Sequence, residues 1–91
     1  MIEQGRQRRH GTTVDGIIIE STASKTLVER NLATGAGDDG IDVDNASTTL
    51  MRNFAFHNGD LGIEAVPGVT DGGGNHAAGN GNPAQCTNVA C

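Results

Sequence analysis

The chain has no tryptophan and no tyrosine, and Phe54 and Phe56 are its only phenylalanines. A core anchored on large rings is thereby excluded, and small and β-branched side chains have to fill it by stacking. No apolar run approaches the roughly 20 residues of a membrane-crossing helix or the apolar stretch of a secretory signal; Met1 is followed by a polar, basic segment. Positive charge nearly vanishes after Arg30, where Arg52 alone faces Asp38, Asp39, Asp42, Asp44, Asp60, Glu64 and Asp71. Such an acidic surface argues against nucleic acid and anionic lipid as partners and suits cations or neutral polymers. At the other end Arg6, Arg8 and Arg9 have no aromatic neighbours and read as a solvated flank rather than a nucleic-acid arm. With 91 residues there is room for one domain with a thin core, since so short a chain buries only about 60–65% of its unfolded surface.

What the chain has instead is a repeat. Asn31, Asn53 and Asn75 recur at one fixed interval, each followed two positions on by alanine (Ala33, Ala55, Ala77) and six on by glycine (Gly37, Gly59, Gly81). Arg30 and Arg52, Asp38 and Asp60, Gly40 and Gly62, and Ile41 and Ile63 keep the same interval. A spacing held without drift marks stacked structural units. Laid over one another, the units give Asp15-Gly-Ile-Ile-Ile-Glu20, Asp39-Gly-Ile-Asp-Val-Asp44 and Leu61-Gly-Ile-Glu-Ala-Val66. Their alternation predicts strands with Ile17, Ile41 and Ile63 in one inward column and Ile19, Val43 and Ala65 in another, while Ile18, Asp42 and Glu64 face out.

The polar turn that follows is longer in the first unit, so that the step from Gly16 to Gly40 exceeds the step from Gly40 to Gly62 by two positions, and the extra length belongs to a loop. Second strands over 26–30 and 48–52 then stack Val28 on Leu50. Asparagine ends them, because its amide can adopt tight-turn angles and can hydrogen-bond the asparagine one coil away. Alanine lets the chain pass closely, and Gly37, Gly59 and Gly81 supply a further corner where positive φ is cheap. A unit this short cannot hold a helix pair and lacks a leucine-rich pattern. It predicts an all-β fold, a parallel β-helix of about three 22-residue coils.

Residues 1–14 match no coil position and read as a flank, 15–83 as the coils and 84–91 as a C-terminal cap. The third coil weakens at Gly72, Gly73 and Gly74 and at Pro67 and Pro83. Solenoid ends expose backbone and apolar rungs, so the N-terminal face of the first coil is expected to be an open edge suited to end-to-end self-association. Cys86 and Cys91 are spaced either to close a small disulfide loop, worth roughly 2 kcal/mol in the chain-entropy model, or to stay free in a reducing compartment.

With Gly-Ile-Asp-Val at 40–43, Thr-Thr-Leu-Met-Arg-Asn at 48–53, the run from His57 to Asn75 and the closing Cys-Thr-Asn-Val-Ala-Cys at 86–91, the chain resembles the bacterial right-handed parallel β-helix repeat proteins of the pectate-lyase-like superfold. Residues 15–91 resemble the C-terminal end of a longer member. Proteins of this kind include secreted polysaccharide lyases and hydrolases, periplasmic factors for copper-site maturation, and surface proteins without known activity. The resemblance implies an extracellular or cell-surface location and favours the disulfide. A secreted chain lacking a signal segment is then expected to be part of a longer protein. Fold is what such a resemblance specifies; function has to come from a site.

Gly37-Asp38-Asp39-Gly40 resembles the paired aspartates of polygalacturonase-type hydrolases, and glycoside hydrolysis needs two carboxyl groups flanking the bond. That family's other aspartate, histidine motif and basic substrate-binding motif are missing, so Asp38 and Asp39 read as turn residues before a strand. Lyase chemistry would need a cation or basic group at the uronate; Arg30 and Arg52 stack, but beside the asparagines. Asp38 over Asp60 and Asp42 over Glu64 bring like charges to strand spacing, which a calcium ion would relieve, although exposed carboxylates repel by only about 1 kcal/mol or less without one. Phe54 and Phe56 flank Ala55 and point outward or pack under a turn, as a sugar-stacking patch or as covered rings. His10, His57 and His76 share no repeat position. The expected function is a non-catalytic β-helix module, structural or in contact with a polysaccharide; the alternative is a fragment of a carbohydrate-active enzyme, lyase or hydrolase, whose catalytic coils lie elsewhere.

Overall fold

The structure, a computed structural model, describes residues 3–4, 8–9, 16–21 and 25–91. Arg6, His10 and Asp15 lie outside them. Twelve short strands follow one another: β1 (Glu3–Gln4), β2 (Arg8–Arg9), β3 (Ile17–Ile19), β4 (Leu27–Glu29), β5 (Leu32–Thr34), β6 (Ile41–Val43), β7 (Thr49–Met51), β8 (Phe54–Phe56), β9 (Ile63–Ala65), β10 (Thr70–Gly73), β11 (His76–Ala78) and β12 (Cys86–Thr87). Every pairing is parallel and joins strands one coil apart. Three sheets result, β1-β4-β7-β10 (sheet A), β2-β5-β8-β11 (sheet B) and β3-β6-β9-β12 (sheet C). The chain is a parallel β-solenoid of about three turns with 22-residue spacing, and no helix occurs among the described residues.

Register follows the repeat. Ile41 pairs with Ile63 and Ala55 with Ala33 and Ala77, each at the plain repeat distance, whereas Ile17 pairs with Ile41 at two positions more. Leu27 already pairs with Thr49 at the plain distance, so the two extra residues fall between β3 and β4, in the loop. The same insertion explains why the flank was not legible as a coil. Glu3 pairs with Leu27 and Arg8 with Leu32, both at the longer distance, so this part of the stretch read as residues 1–14 continues sheets A and B.

The core is the interior of the stack. Ile17, Ile41 and Ile63, then Ile19, Val43 and Ala65, then Val28 with Leu50 and Ala33 with Ala55, form one cluster of buried side chains. These columns are the inward positions that alternation predicts, and Ile18, between two of them, is 49% exposed. Gly40 and Gly62 open the sheet C strands because the stack is thin. A Cβ on Gly40 would lie 2.6 Å from Asn58 Nδ2, and one on Gly62 2.6 Å from Ala77 Cβ, on the opposite wall.

Asparagines hold the corners between sheets. Asn31 donates from both its N–H and its Nδ2 to Asn53 Oδ1 at 3.1 Å, and Asn53 does the same to Asn75 Oδ1 at 3.1 and 2.9 Å. Asn53 and Asn75 also donate to the carbonyls of Val28 and Leu50. A second ladder escaped the sequence reading. Ala36 N–H donates to Asn58 Oδ1, Asn58 donates twice to Asn80 Oδ1, and Asn80 donates twice to Gln85 Oε1, which stands where the next coil's asparagine would be.

The turn itself is made by the residue before each rung, not by the asparagine. Arg30, Arg52 and Gly74 have φ of 58°, 58° and 71°, and Gly35, His57 and Gly79 have 75°, 57° and 67°. Left-handed backbone, recurring once per coil at each of these corners, ends the strand, and the next side chain then turns inward to hydrogen-bond. The expectation for Gly37, Gly59 and Gly81 is corrected in the same way. Their φ angles are not positive; glycine is needed at 59 and 81 because a Cβ would collide with the carbonyl oxygens of Gly37 and Gly59 one coil below.

The third coil keeps its second strand despite its glycines. β10 pairs with β7 through a bulge between Asp71 and Gly73, although all four residues are exposed. Two buried hydroxyls, Thr26 Oγ1 and Thr48 Oγ1, find no partner, and the β7–β10 register puts Val69 in the place of Thr48 one coil on.

Three expected outcomes can be read by urea unfolding. Ile41→Ala removes the middle of a buried column and should destabilise by roughly 2–4 kcal/mol, against about 0.5 kcal/mol or less for Ile18→Ala. Asn53→Ala strands donors on Asn31 and the Val28 carbonyl and should cost about 2–4 kcal/mol. Thr48→Val removes an unsatisfied buried hydroxyl and should stabilise by about 1 kcal/mol; a loss of that size instead would mean that the hydroxyl is satisfied.

Candidate functional site

The acidic residues singled out by the repeat gather along one edge of sheet C. Asp42 pairs with Glu64 in the ladder between β6 and β9, and outward alternation puts both on the exterior, half-buried. Asp38 and Asp60 occupy equivalent turns before those strands, linked by Asp60 N–H donating to the Asp38 carbonyl at 2.9 Å. Asp60 Oδ1 in turn accepts from Asn82 Nδ2 at 3.0 Å.

Asp39 joins the two pairs. Carboxylate oxygens of Asp38, Asp39 and Asp60 lie within 4.8 Å of one another, and so do those of Asp39, Asp42 and Glu64. Parity explains why. Asp39 shares the inward phase of Ile41 and Val43, at the position Leu61 fills one coil on, and it is only 3% exposed. A carboxylate placed inward needs donors, and its Oδ1 accepts the Leu61 N–H at 3.0 Å. The stack thus brings the four expected cation ligands, Asp38, Asp42, Asp60 and Glu64, into two overlapping trios rather than one set of four. Their shared member had been weighed only as half of a catalytic pair.

Oxygen donors this close suit a hard cation such as calcium, which tolerates irregular carboxylate geometry. They do not suit glycoside hydrolysis as well. A bond-cleaving pair has to present both groups to a sugar with about 5 Å or more between them, whereas Asp39 faces the interior and is committed to the backbone of the next coil.

Basic groups lie elsewhere. Arg52 Nη1 and Arg30 Nε reach Glu29 Oε2 at 3.5 and 4.0 Å, at the corner after sheet A. Both guanidinium side chains are more than half exposed, so these contacts add little to stability. The expected arginine stack exists, one coil over another beside the asparagine ladder, with Glu29 between.

Sheet B carries the rings on its outer face. Phe54 is 41% exposed and stacks on His76 at 5.3 Å between ring centroids, and Phe56 lies 6.1 Å from Phe54. His76 stands one coil above Phe54, a pairing that the histidine spacings alone did not reveal. His57 takes part instead in a left-handed corner.

At the C-terminal end Cys86 and Cys91 form the disulfide, with Cα atoms 6.5 Å apart. Cys86 and Thr87 are also β12, paired on β9, so the stretch read as a cap begins as one more rung of sheet C. Beyond it, Asn88 Nδ2 donates to the Ala65 carbonyl and Ala90 N–H donates to Asp71 Oδ2 at 2.7 Å. Asp71 also accepts from Gly73 N–H at 2.9 Å and from Asn75 Nδ2 at 3.2 Å, and so ends the first asparagine ladder. The Ala90 and Gly73 N–H groups hold its carboxyl below the usual 3.8, outweighing partial burial, and the Asn75 amide adds to the effect.

A lowered carboxyl pKa stabilises the fold at all pH values above the unfolded-state value, and that contribution fades as pH falls through the folded one. Asp71→Asn should therefore lower the melting temperature at neutral pH, with the difference from the parent closing below the ordinary value of 3.8. A gap that persists undiminished in acid would assign the effect to shape rather than to charge.

Set beside protein-family models, curated proteins and solved structures, the chain finds no match in any of the three.

Proposed function

We propose that this chain is a non-catalytic module of a right-handed, pectate-lyase-like parallel β-helix, a structural or polysaccharide-contacting part of a larger protein that works outside the cytoplasm. The observation that carries the reading is Asp39. The residue best placed to be half of a hydrolytic pair is buried and accepts the Leu61 N–H, which is a fold-building task, and its sheet offers no matched basic clamp in sequence at Ile18, Asp42, Glu64 or Thr87. The disulfide supports an oxidising compartment. Polymer contact is supported by the Phe54–His76 stack, an exposed ring surface on a flat sheet, of the kind that packs against apolar faces of sugar rings.

Incubation with polygalacturonate and with neutral polysaccharides, with and without calcium, should yield neither unsaturated products nor new reducing ends. Turnover that Asp39→Asn abolishes would overturn the reading in favour of the carbohydrate-active enzyme. In affinity electrophoresis through a neutral polysaccharide, any retardation should be lost in Phe54→Ala; no retardation leaves the structural role alone. A calcium-dependent rise in melting temperature without turnover, removed by Asp42→Asn, would make the carboxylate edge a structural ion site.

A further inference from the structure

We infer that the Cys86–Cys91 loop is a redox-controlled gate over a docking surface, and that the partner it excludes is a second copy of this chain, stacked head to tail. The surface is the C-terminal end of the solenoid. β10 is exposed along its whole length and is the last strand of sheet A, and β11, half-exposed, is the last of sheet B. The last apolar rung includes Ala65, Val69 and Ala77, and the tail contributes Cys86 and Val89 to the same cluster. Among the described residues, the tail beyond β12 is tied down by the disulfide, by Asn88 to Ala65 and by Ala90 to Asp71.

The two ends of the stack are complementary in outline. At the N-terminal end sheets A and B begin one strand earlier, with β1 and β2, than sheet C does with β3; at the C-terminal end sheet C runs one strand longer, with β12. A second copy laid on top would pair its β1 and β2 with β10 and β11, while β12 filled the step beside its β3. Every such contact repeats the parallel, coil-on-coil pairing that the chain already makes internally. A contact of this type does not close on itself and generates an open series.

Release is a balanced thiol–disulfide exchange. A dithiol reductant attacks the Cys86–Cys91 bond, two electrons pass to the cysteine sulfurs, each of which ends as a thiol, and the reductant becomes a cyclic disulfide. The tail, no longer closed into a loop, then keeps only the two hydrogen bonds, and the end of the stack opens. The inference holds whatever polymer the module contacts, so its failure would leave the functional reading standing.

The experiment is light scattering coupled to size exclusion on the full chain over a range of concentrations, with circular dichroism on the same samples. The oxidised chain should run as the 9.3 kDa monomer, and dithiothreitol should raise the weight-average mass by about two-fold or more, increasing with concentration, with the β-sheet signal kept. Cys86→Ala with Cys91→Ala should do the same without reductant, which excludes intermolecular disulfides. If that variant does not fold, the reduced parent chain decides. The inference is overturned if the reduced chain stays monomeric, if it forms a dimer of fixed size, if the oxidised chain associates equally, or if reduction abolishes the β-sheet signal.

Discussion

The buried asparagine ladder is the interaction on which the other features depend. An amide side chain enclosed in a protein is costly unless its donors and acceptor are met, and here each asparagine meets them only when the next coil lies at one height and one register. Asn53 is satisfied from below by Val28 and Asn31 and from above by Asn75. A slip by one residue would leave several groups unpaired at once and would turn the isoleucine columns outward. The apolar core supplies driving force, but the ladder supplies the pitch.

Backbone geometry serves the same end. Left-handed residues recur immediately before each rung, and two of these positions are held by arginine and one by histidine, residue types that gain nothing from that conformation. Strain of this kind persists only where the surroundings over-determine it, and the surroundings here are the two inward amides that the turns deliver. Asp71 and Gln85 complete the arrangement by ending the two ladders with acceptors of a different kind. Both belong to the third coil or the segment after it, so the same residues that finish the hydrogen bonding also fasten the C-terminal end.

The acidic edge shows how one fold position can look catalytic in sequence and structural in space. Asp38 and Asp39 are adjacent in the chain, yet a strand's alternation sends one outward and the other into the stack. Once Asp39 is inside, it behaves as the asparagines do and accepts a backbone N–H from the next coil. The carboxylates left around it approach one another closely because coils are separated by only one strand spacing. Electrostatics along this edge is therefore a by-product of stacking before it is anything else, and any ion it holds would first serve the stack.

Period and alternation along the chain determined the columns of Ile17, Ile41 and Ile63 and of Val28 and Leu50, the outward places of Asp42, Glu64 and Phe54, and the cysteine loop. Each of these rests on the repeat or on local spacing, and a parallel stack copies them faithfully from coil to coil. Tertiary structure alone decided the rest. The ladder from Ala36 through Asn58 and Asn80 to Gln85 begins at an alanine and ends at a residue out of register, so no repeat of asparagine announced it. The strands at 3–4 and 8–9 were hidden by an insertion lying many residues downstream of them. The need for glycine at 59 and 81 comes from a carbonyl one coil away, and the grouping of Asp39 with Asp42 and Glu64 comes from which side of a strand each one takes. Distances across the stack join residues that are remote in the chain, and only the closed coils bring them within reach.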